Sequence, residues 1–475
     1  MKGNNFSTTI QRIKYVTIDF IMTSIAFILF DIFRYRVLDA VAVSYSSLTT
    51  FLFSDKLIME QVLIPVGMLC IYWLSGYYNR PLIKSRLTEL STTLLSACLG
   101  TIIIFLAILI NDTTGVKIKD YEIIIVLWGL LTFFTYLGRS ILTAHTNSLF
   151  RSRSIKYTTL IIGNSPKSRQ VYRKLHAASS LVAYDVAGFI RLEGEEQVED
   201  DMPVWDRKDV AKVCREQEVD QIILAPERRV DIDIMNILEE LFPLSLPVKI
   251  EPDTLSFITG NIAINDILGI PFIDLTSPRI SECQKNIKRT FDVAFSIVML
   301  LMLSPLLAVI AIIVKCTSPG PVIYRQERIG KGHKPFMIYK FRSMCRNAEA
   351  DGPQLSSDND PRITPIGRFM RKYRIDEFPQ FWNVIKGDMS MVGPRPEREY
   401  FIERIIKRAP YYGLIFQIRP GVTSWGMVKY GYASTVDEMV ERSRYDLLYL
   451  NNMSISTDIK ILLHTIRTVI KGAGV

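Results

Sequence analysis

Four apolar runs fill the first third of the chain, at about Tyr15–Phe33, Val62–Tyr77, Thr92–Ile110 and Glu122–Leu137. Each approaches the roughly 20 residues that a helix needs to cross a bilayer, although the second is short and ends in aromatics. The runs lack the polar face of a helix packed on a soluble core, so membrane helices are the expectation. The first is too long and too polar at its flanks, without a cleavage site, to be only a signal peptide. Lys2, Arg12 and Lys14 precede the first run, and Arg80, Lys84 and Arg86 lie between the second and third. Arg139, Arg151, Arg153 and Lys156 follow the fourth. By the positive-inside rule both ends of this bundle face the cytoplasm, with Arg34, Arg36, Lys117 and Lys119 in the outer loops weakening the bias.

After a basic joint at Arg151–Ser154 the pattern changes. Tyr157–Ile162, Val186–Ile190, Gln221–Ala225 and Pro247–Glu251 read as buried strands, with helical stretches near Asp206–Gln217 and Asp231–Leu241. Alternating strand and helix imply a parallel, Rossmann-like α/β domain. The turn after the first strand is GNSPKS, without the GxGxxG spacing that lets a pyrophosphate approach the backbone. Two readings stay open: a nucleotide on that helix N-terminus, or a vestigial or regulatory fold. At 475 residues two or three domains are expected.

A net charge of +9 points to an anionic partner, which nucleic acid, anionic lipid and phosphorylated substrates all satisfy. The six cysteines (70, 98, 214, 283, 316 and 345) form no CxxC and have no histidine at ligand spacing. That argues against zinc and against a disulfide framework, and suits a reducing cytoplasm. With only four histidines, triad chemistry has little material.

A fifth apolar run, Val293–Val314, is long enough to span, but Ser304-Pro305 falls in its middle. Proline removes a helix hydrogen bond and clashes with the preceding turn. Lys285, Lys288 and Arg289 stand before the run, and Lys315, Arg325, Arg328, Lys331 and Lys334 after it. A helix that enters, breaks at Ser304-Pro305 and returns keeps both basic flanks inside, so a re-entrant helix is expected. In the segment Pro319–Met344, Tyr324, Phe336, Tyr339 and Phe341 alternate with cations. Beside a membrane helix this suits lipid head groups better than nucleic acid. Lys340 and Arg342, on one face of a strand, are candidates for phosphate contact. Thr364-Pro365 reads as the N-cap and N1 of an amphipathic helix, with Ile366, Phe369, Met370 and Tyr373 in the interface.

The most chemically loaded stretch is Arg371–Pro396, RKYRIDEFPQFWNVIKGDMSMVGPRP. Asp376-Glu377 opens an expected short helix whose Phe378, Phe381, Trp382 and Ile385 form a stripe, with Gly387 at its end. An Asp near an N-cap is held ionised by free amides and the helix dipole. Arg368, Arg371, Lys372, Arg374 and Arg395 surround the pair. Asp376 then has two readings: a helix cap with solvated neighbours, or a catalytic carboxylate in metal-assisted phosphoryl transfer.

The run DPRITPIGRFMRKYRIDEFPQFWNVIKGDMSMVGPRPE closely resembles the signature of the bacterial polyprenyl-phosphate sugar-1-phosphate transferases. These are monotopic phosphoglycosyl transferases that begin exopolysaccharide, capsule and O-antigen synthesis. The resemblance covers roughly Arg279 to the C-terminus; RPGVTSWGMV (Arg419–Val428) also resembles a family segment, in which Trp425 reads as a packing residue. It implies three domains: 1–150, a four-helix membrane domain; 151–276, Rossmann-like; 277–475, the α/β transferase with its re-entrant helix. It also implies a UDP-sugar donor, undecaprenyl phosphate as acceptor, UMP as leaving group and Mg²⁺ as cofactor. Asp376 would attack the β-phosphorus, Glu377 would hold Mg²⁺, and Arg371 and Arg395 would neutralise the phosphates. The place of action would be the bacterial cytoplasmic membrane, with both later domains inside. Large members of the family add a homodimer through the first two domains. The rivals are a membrane-anchored nucleotide-sugar dehydratase or epimerase, and a non-catalytic polysaccharide-assembly scaffold. The first needs a working dinucleotide loop and a Tyr-x-x-x-Lys base, and the sequence has neither; the second leaves Arg371–Pro396 unemployed.

Overall fold

The computed structural model describes the chain except residue 1 and the stretches 38–44, 108–117, 153–155, 179–183, 193–201, 228–235, 252–271, 277–279, 353–359 and 471–475. Residues 80, 83, 239, 242–243, 245, 346–347 and 349–351 are also outside the description. The helix expected near 231–241 and the domain boundary at 277–279 therefore fall partly or wholly outside it.

Four long helices open the chain: α1 (Lys2–Val37), α2 (Asp55–Leu74), α3 (Arg86–Ala107) and α4 (Ile118–Arg151). They and the later helix Glu282–Thr317 are the five helices long and apolar enough to cross a membrane among the described residues. The helices outrun the apolar segments, and this changes the reading of their charges. Arg139, expected on a cytoplasmic flank, is wholly buried within α4. Its Nε and Nη2 donate to the two oxygens of Asp19 at 2.8 and 2.7 Å, and its Nη1 donates to Thr93 Oγ1 at 2.7 Å. The Tyr78 hydroxyl donates to the same aspartate at 2.7 Å, while the Tyr77 hydroxyl donates to Glu89. Arg34, expected in an outer loop, is buried near the end of α1, 3.4 Å from both Asp31 and Glu60. The expectation that these helices lack a polar face is thus corrected. Their few charged residues are spread so thinly that they disappear in an apolar run, yet they converge in the bundle because an unpaired charge there is costly.

Next comes a six-stranded sheet in the order β3-β2-β1-β4-β5-β6. Its strands are β1 (Tyr157–Ile162), β2 (Tyr184–Arg191), β3 (Val204–Asp206), β4 (Gln221–Leu224), β5 (Val248–Ile250) and β6 (Ile273–Asp274). All neighbouring pairs are parallel except β5 with β6. Helices α5 (Pro166–Ala178) and α6 (Val210–Glu216) connect them. The short edge strands β3 and β6 escape the sequence pattern because too few residues carry it. At the turn into α5, Ser165 N donates to Ser168 Oγ at 3.3 Å, and Ser168 Oγ donates to Ala225 O at 2.8 Å. Part of the polar capacity of this turn is therefore spent inside the protein.

Helix α7 (Glu282–Thr317) runs for 36 residues, roughly 54 Å at 1.5 Å per residue, with Pro305 inside it. The expected break at Ser304-Pro305 is not a gap in the helix. Pro305 cannot donate to Leu301 O, and the neighbouring Ser304 hydroxyl donates to that carbonyl instead, at 2.8 Å. Beyond α7 follow the antiparallel hairpin β7 (Ile323–Ile329) and β8 (Pro335–Phe341), then α8 (Pro365–Lys372), a 3₁₀ turn at Ile375–Glu377 and α9 (Gln380–Lys386). The parallel pair β9 (Ser390–Val392) and β10 (Gly421–Thr423) brackets α10 (Glu399–Ile406). Helices α11 (Trp425–Lys429), α12 (Val436–Asn451) and α13 (Ile455–Ile470) complete the chain. Phe381, Val384, Met389, Met391, Tyr449 and Ile461 make the centre of this last body's core, and Trp425 packs against it.

Both halves of α7 lie on this body. On the first half, Lys288 bonds Asp458 at 2.6 Å, and Arg289 donates to Val384 O at 2.8 Å and Ile385 O at 3.2 Å, capping the end of α9. On the second half, Ile310 and Val314 cluster with Phe341 and Met370. Met370, expected in the membrane interface, is therefore in the core, while Phe369 on the same helix remains 53% exposed.

Candidate active site

Thr364 caps α8 through Gly367 N–H at 3.0 Å with Pro365 behind it, as the sequence pattern requires. The chain then turns sharply at Arg374, whose φ of +54° lies in the left-handed region. A non-glycine residue there costs of order 1 kcal/mol, a strain typical of functional turns. The turn ends the α-helix and starts the 3₁₀ segment that carries Asp376 and Glu377. The expected helix cap is thus corrected: Asp376 lies within a 3₁₀ turn, and α9 begins only after Pro379. The expected stripe also shifts. Phe381 and Val384 are buried, but Trp382 is 55% exposed, because α9 is rotated to put Asn383 on β8. Asn383 Nδ2 donates to Met337 O at 2.7 Å and its Oδ1 accepts from Tyr339 N at 3.1 Å. Gly387 closes α9 with φ +103°, a conformation that favours glycine.

These elements converge on a narrow open cleft. Arg328 from β7, Lys340 from β8, Glu377, Gln380 and Arg395 line it, closed by Ile338, Pro396, Gly421 and Val422. The backbone of β10 approaches closely at Gly421, where a Cβ would stand 2.2 Å from Gly393 N. Asp376 adjoins the cleft through Glu377.

The two carboxylates have unlike surroundings. Glu377 meets Lys340 Nζ at 2.7 Å, with Arg374 and Arg395 each at 3.7 Å. Burial alone would raise its pKa, but Lys340, Arg395 and Arg374 outweigh that and hold it well below the carboxylate range. Asp376 is 7% exposed and makes no hydrogen bond or ion pair among the described residues. Burial, and then the charge of Glu377, push its pKa up against the pull of Lys340, Arg371 and Arg374. The sequence expectation of an aspartate held ionised by helix-end amides is therefore replaced by a carboxylate with a raised pKa.

Of the other expected contacts, Lys340 and Arg395 reach the cleft, and Arg371 stands near Asp376 with its Nε donating to Ser343 Oγ at 2.9 Å. Arg342 does not join them. It donates to Pro321 O at 2.6 Å, Ser318 O at 2.7 Å and Val314 O at 3.3 Å, tying down the end of α7. The alternation along β8 places it beside Lys340 in sequence terms, but a 36-residue helix with open terminal carbonyls lies where it points. Ser304 and Pro305 are exposed in mid-α7, away from the cleft.

Sequence reasoning missed Arg328, Gln380, Glu397 and Arg442. Glu397 is 5% exposed, accepts from Arg442 Nη2 at 2.6 Å and lies 3.3 Å from Arg328. It orients the cations of the cleft from behind. Its place directly after Pro396 was the available signal; Arg442, in the middle of an amphipathic helix, had none.

Among the described residues no group of three or more His, Cys, Asp or Glu side chains comes together for a metal. Two adjacent carboxylates remain, one of them unpartnered, and this small hard-oxygen set fits a cation that takes its other ligands from phosphate and water.

Paired acids set against half-buried cations form a cleft whose charge is suited to anionic oxygens. The model of the bacterial sugar transferase family matches residues 283–472. A UDP-glucose:undecaprenyl-phosphate glucose-1-phosphate transferase of Caulobacter vibrioides is 39% identical over 188 residues, covering 38% of this chain and 69% of that protein. The chain belongs to the bacterial sugar transferase family. It is also 44% identical over 188 residues to a UDP-N-acetylgalactosamine-undecaprenyl-phosphate N-acetylgalactosaminephosphotransferase of Aeromonas hydrophila, covering 40% of this chain and 44% of that protein. With a UDP-glucose:undecaprenyl-phosphate glucose-1-phosphate transferase of Klebsiella pneumoniae it shares 35% identity over 260 residues, 54% of this chain and 56% of that protein. The match spans about half the length of these last two relatives.

Proposed function

We propose that this protein transfers a sugar-1-phosphate from a UDP-sugar to undecaprenyl phosphate at the bacterial cytoplasmic membrane, the first membrane step of exopolysaccharide, capsule or O-antigen synthesis. The observation that carries the reading is the contrast at the acidic pair: Glu377 clamped by three cations, and Asp376 buried, unpartnered and next to them. Asp376 attacks the β-phosphorus through a carboxylate oxygen and UMP leaves; the acceptor phosphate then attacks the aspartyl-phosphosugar intermediate. Lys340, Arg328 and Arg395 bind the diphosphate oxygens, and Arg371 and Arg374 complete the field around Asp376. Glu377, together with the diphosphate, would hold Mg²⁺, which when bound supplies further charge neutralisation.

The catalytic unit is 277–475, preceded by the sheet domain at 151–276, of Rossmann-like topology, and the membrane bundle at 1–150. A re-entrant course for α7 is supported by its packing, since residues near both of its ends rest on one body. A helix that crossed the bilayer would carry those ends to opposite sides. Cysteine labelling of a position after Lys315 from the outside of intact cells would overturn that course.

The reaction is tested with purified protein, Mg²⁺ and a panel of UDP-sugars, which also identifies the sugar, since the relatives' names differ in it. Without polyprenyl phosphate, up to one equivalent of UMP should appear with sugar label on the protein. No UMP until lipid is added would remove the covalent intermediate.

A further inference from the structure

Helix α9 carries two buried carboxamides, and they are used differently. Asn383 spends both ends of its amide on β8. Gln380, one turn earlier and only 2% exposed, makes no hydrogen bond among the described residues, and it lines the cleft. Its amide atoms are not among the fully enclosed unpartnered polar atoms of the described residues, so they open onto the cleft, where a ligand or water can complete them. Among the side chains lining this cleft, Gln380 is the one neutral hydrogen-bonding group, beside the cations Arg328, Lys340 and Arg395 and the acid Glu377. It stands three residues after Glu377, and both side chains line the same cleft.

We propose that Gln380 is a further catalytic residue, its amide N–H donating to a non-bridging oxygen of the phosphoryl group that Asp376 attacks. The inference rests on the reaction given under Proposed function. In that step a carboxylate oxygen of Asp376 bonds to the β-phosphorus. The bond from this phosphorus to the oxygen bridging the two phosphates breaks, and its electron pair leaves with UMP. Gln380 transfers no proton; it steadies an equatorial oxygen on which transition-state charge is spread. The cations neutralise the diphosphate as a whole, whereas a fixed neutral donor of this kind acts on one oxygen and adds no charge to an already cationic cleft.

The test uses the full chain in detergent with a UDP-sugar that it turns over, and follows single-turnover UMP release without acceptor. Gln380→Met keeps the side-chain length and removes the donor. It should slow release by about 100-fold, the usual effect of losing one such donor, with KM changed only a few-fold and the unfolding midpoint unchanged. The decisive measurement uses the two diastereomers of the substrate with one non-bridging β-oxygen replaced by sulfur. Wild type should prefer one of them, and Gln380→Met should lose most of that preference; Gln380→Asn should keep part of it. If Gln380→Met does not fold, Gln380→Leu, also neutral and without a donor, is read in the same way. Wild-type rates in the variant, or a slower variant with the diastereomer preference intact, would overturn the proposal. Wild-type protein that releases no UMP from any UDP-sugar overturns the reaction itself, and Gln380's role in it.

Discussion

Asp19 in the membrane bundle and Asp376 beside the cleft are both buried aspartates near arginine, yet their surroundings differ at every contact. Asp19 receives Arg139 through two nitrogens and Tyr78 through its hydroxyl, and Arg139 is itself wholly buried. Asp376 receives nothing among the described residues, and its neighbour Glu377 takes Lys340 and two arginines at the edge of an open cleft. Burial of charge is thus no guide to chemistry by itself. A closed pair has already spent its interactions on the fold, whereas a cluster with one unsatisfied acid and surplus cations still has interactions to offer a substrate.

Single substitutions should separate the two most strongly. Asp376→Asn keeps the shape and removes the proposed nucleophile, so turnover and sugar labelling should fall at least about 10⁴-fold while the unfolding midpoint stays put. Asp19→Asn should do the reverse: about 3–5 kcal/mol of stability lost, because Arg139 is left buried without its counter-charge, and near-normal turnover in the fraction that folds. Thermal unfolding in detergent beside UMP release measures both. Label persisting on Asp376→Asn would move the nucleophile elsewhere.

Double substitutions sharpen the contrast. Asp19→Leu with Arg139→Met replaces a closed pair by apolar side chains and should recover most of what Asp19→Asn loses. Glu377→Leu with Lys340→Met should leave an inactive protein whatever its stability, since the cleft would lose a phosphate ligand.

A smaller effect is expected at Arg342. Bound to carbonyls at the end of α7, it should act on stability: Arg342→Ala should lose about 1–3 kcal/mol and leave the KM for the UDP-sugar unchanged. A several-fold rise in KM at unchanged stability would return it to phosphate binding.

The smallest shift is in the pH dependence. Because burial and Glu377 raise the pKa of Asp376, this carboxyl keeps its proton to higher pH than an ordinary aspartate near 3.9. The attacking carboxylate is therefore lost as pH falls through that raised value, and the acid limb of UMP release should lie above the ordinary one. Glu377→Gln removes a charge that raises the pKa and should move the limb of its residual activity to lower pH. Lys340→Met removes one that lowers it and should move the limb up. Both variants moving the same way would mean that the limb belongs to another group.

The sequence by itself determined which chemistry-bearing side chains stand together in the chain and which runs are long and apolar enough to cross a membrane. Apolar runs, alternating strands and the acidic pair set among arginines are local patterns, carried by residues close together in the chain, so they are legible without the fold. Thr364-Pro365 and Gly387 mark real helix ends for the same reason. Only the tertiary structure decided which charges are spent and which are free. Arg139 and Arg34 read as flanks until helix packing closed them onto Asp19, Asp31 and Glu60. Arg342 read as a partner of Lys340 until the end of α7 claimed it. Gln380 and Arg442 carried no signal, because a glutamine or an arginine in a helix is ordinary until the fold shows what lies in front of it. Pairing of charges is a long-range property: Asp19 and Arg139 are 120 residues apart in the chain, and the low-dielectric surroundings that make the pair matter exist only once the helices have packed.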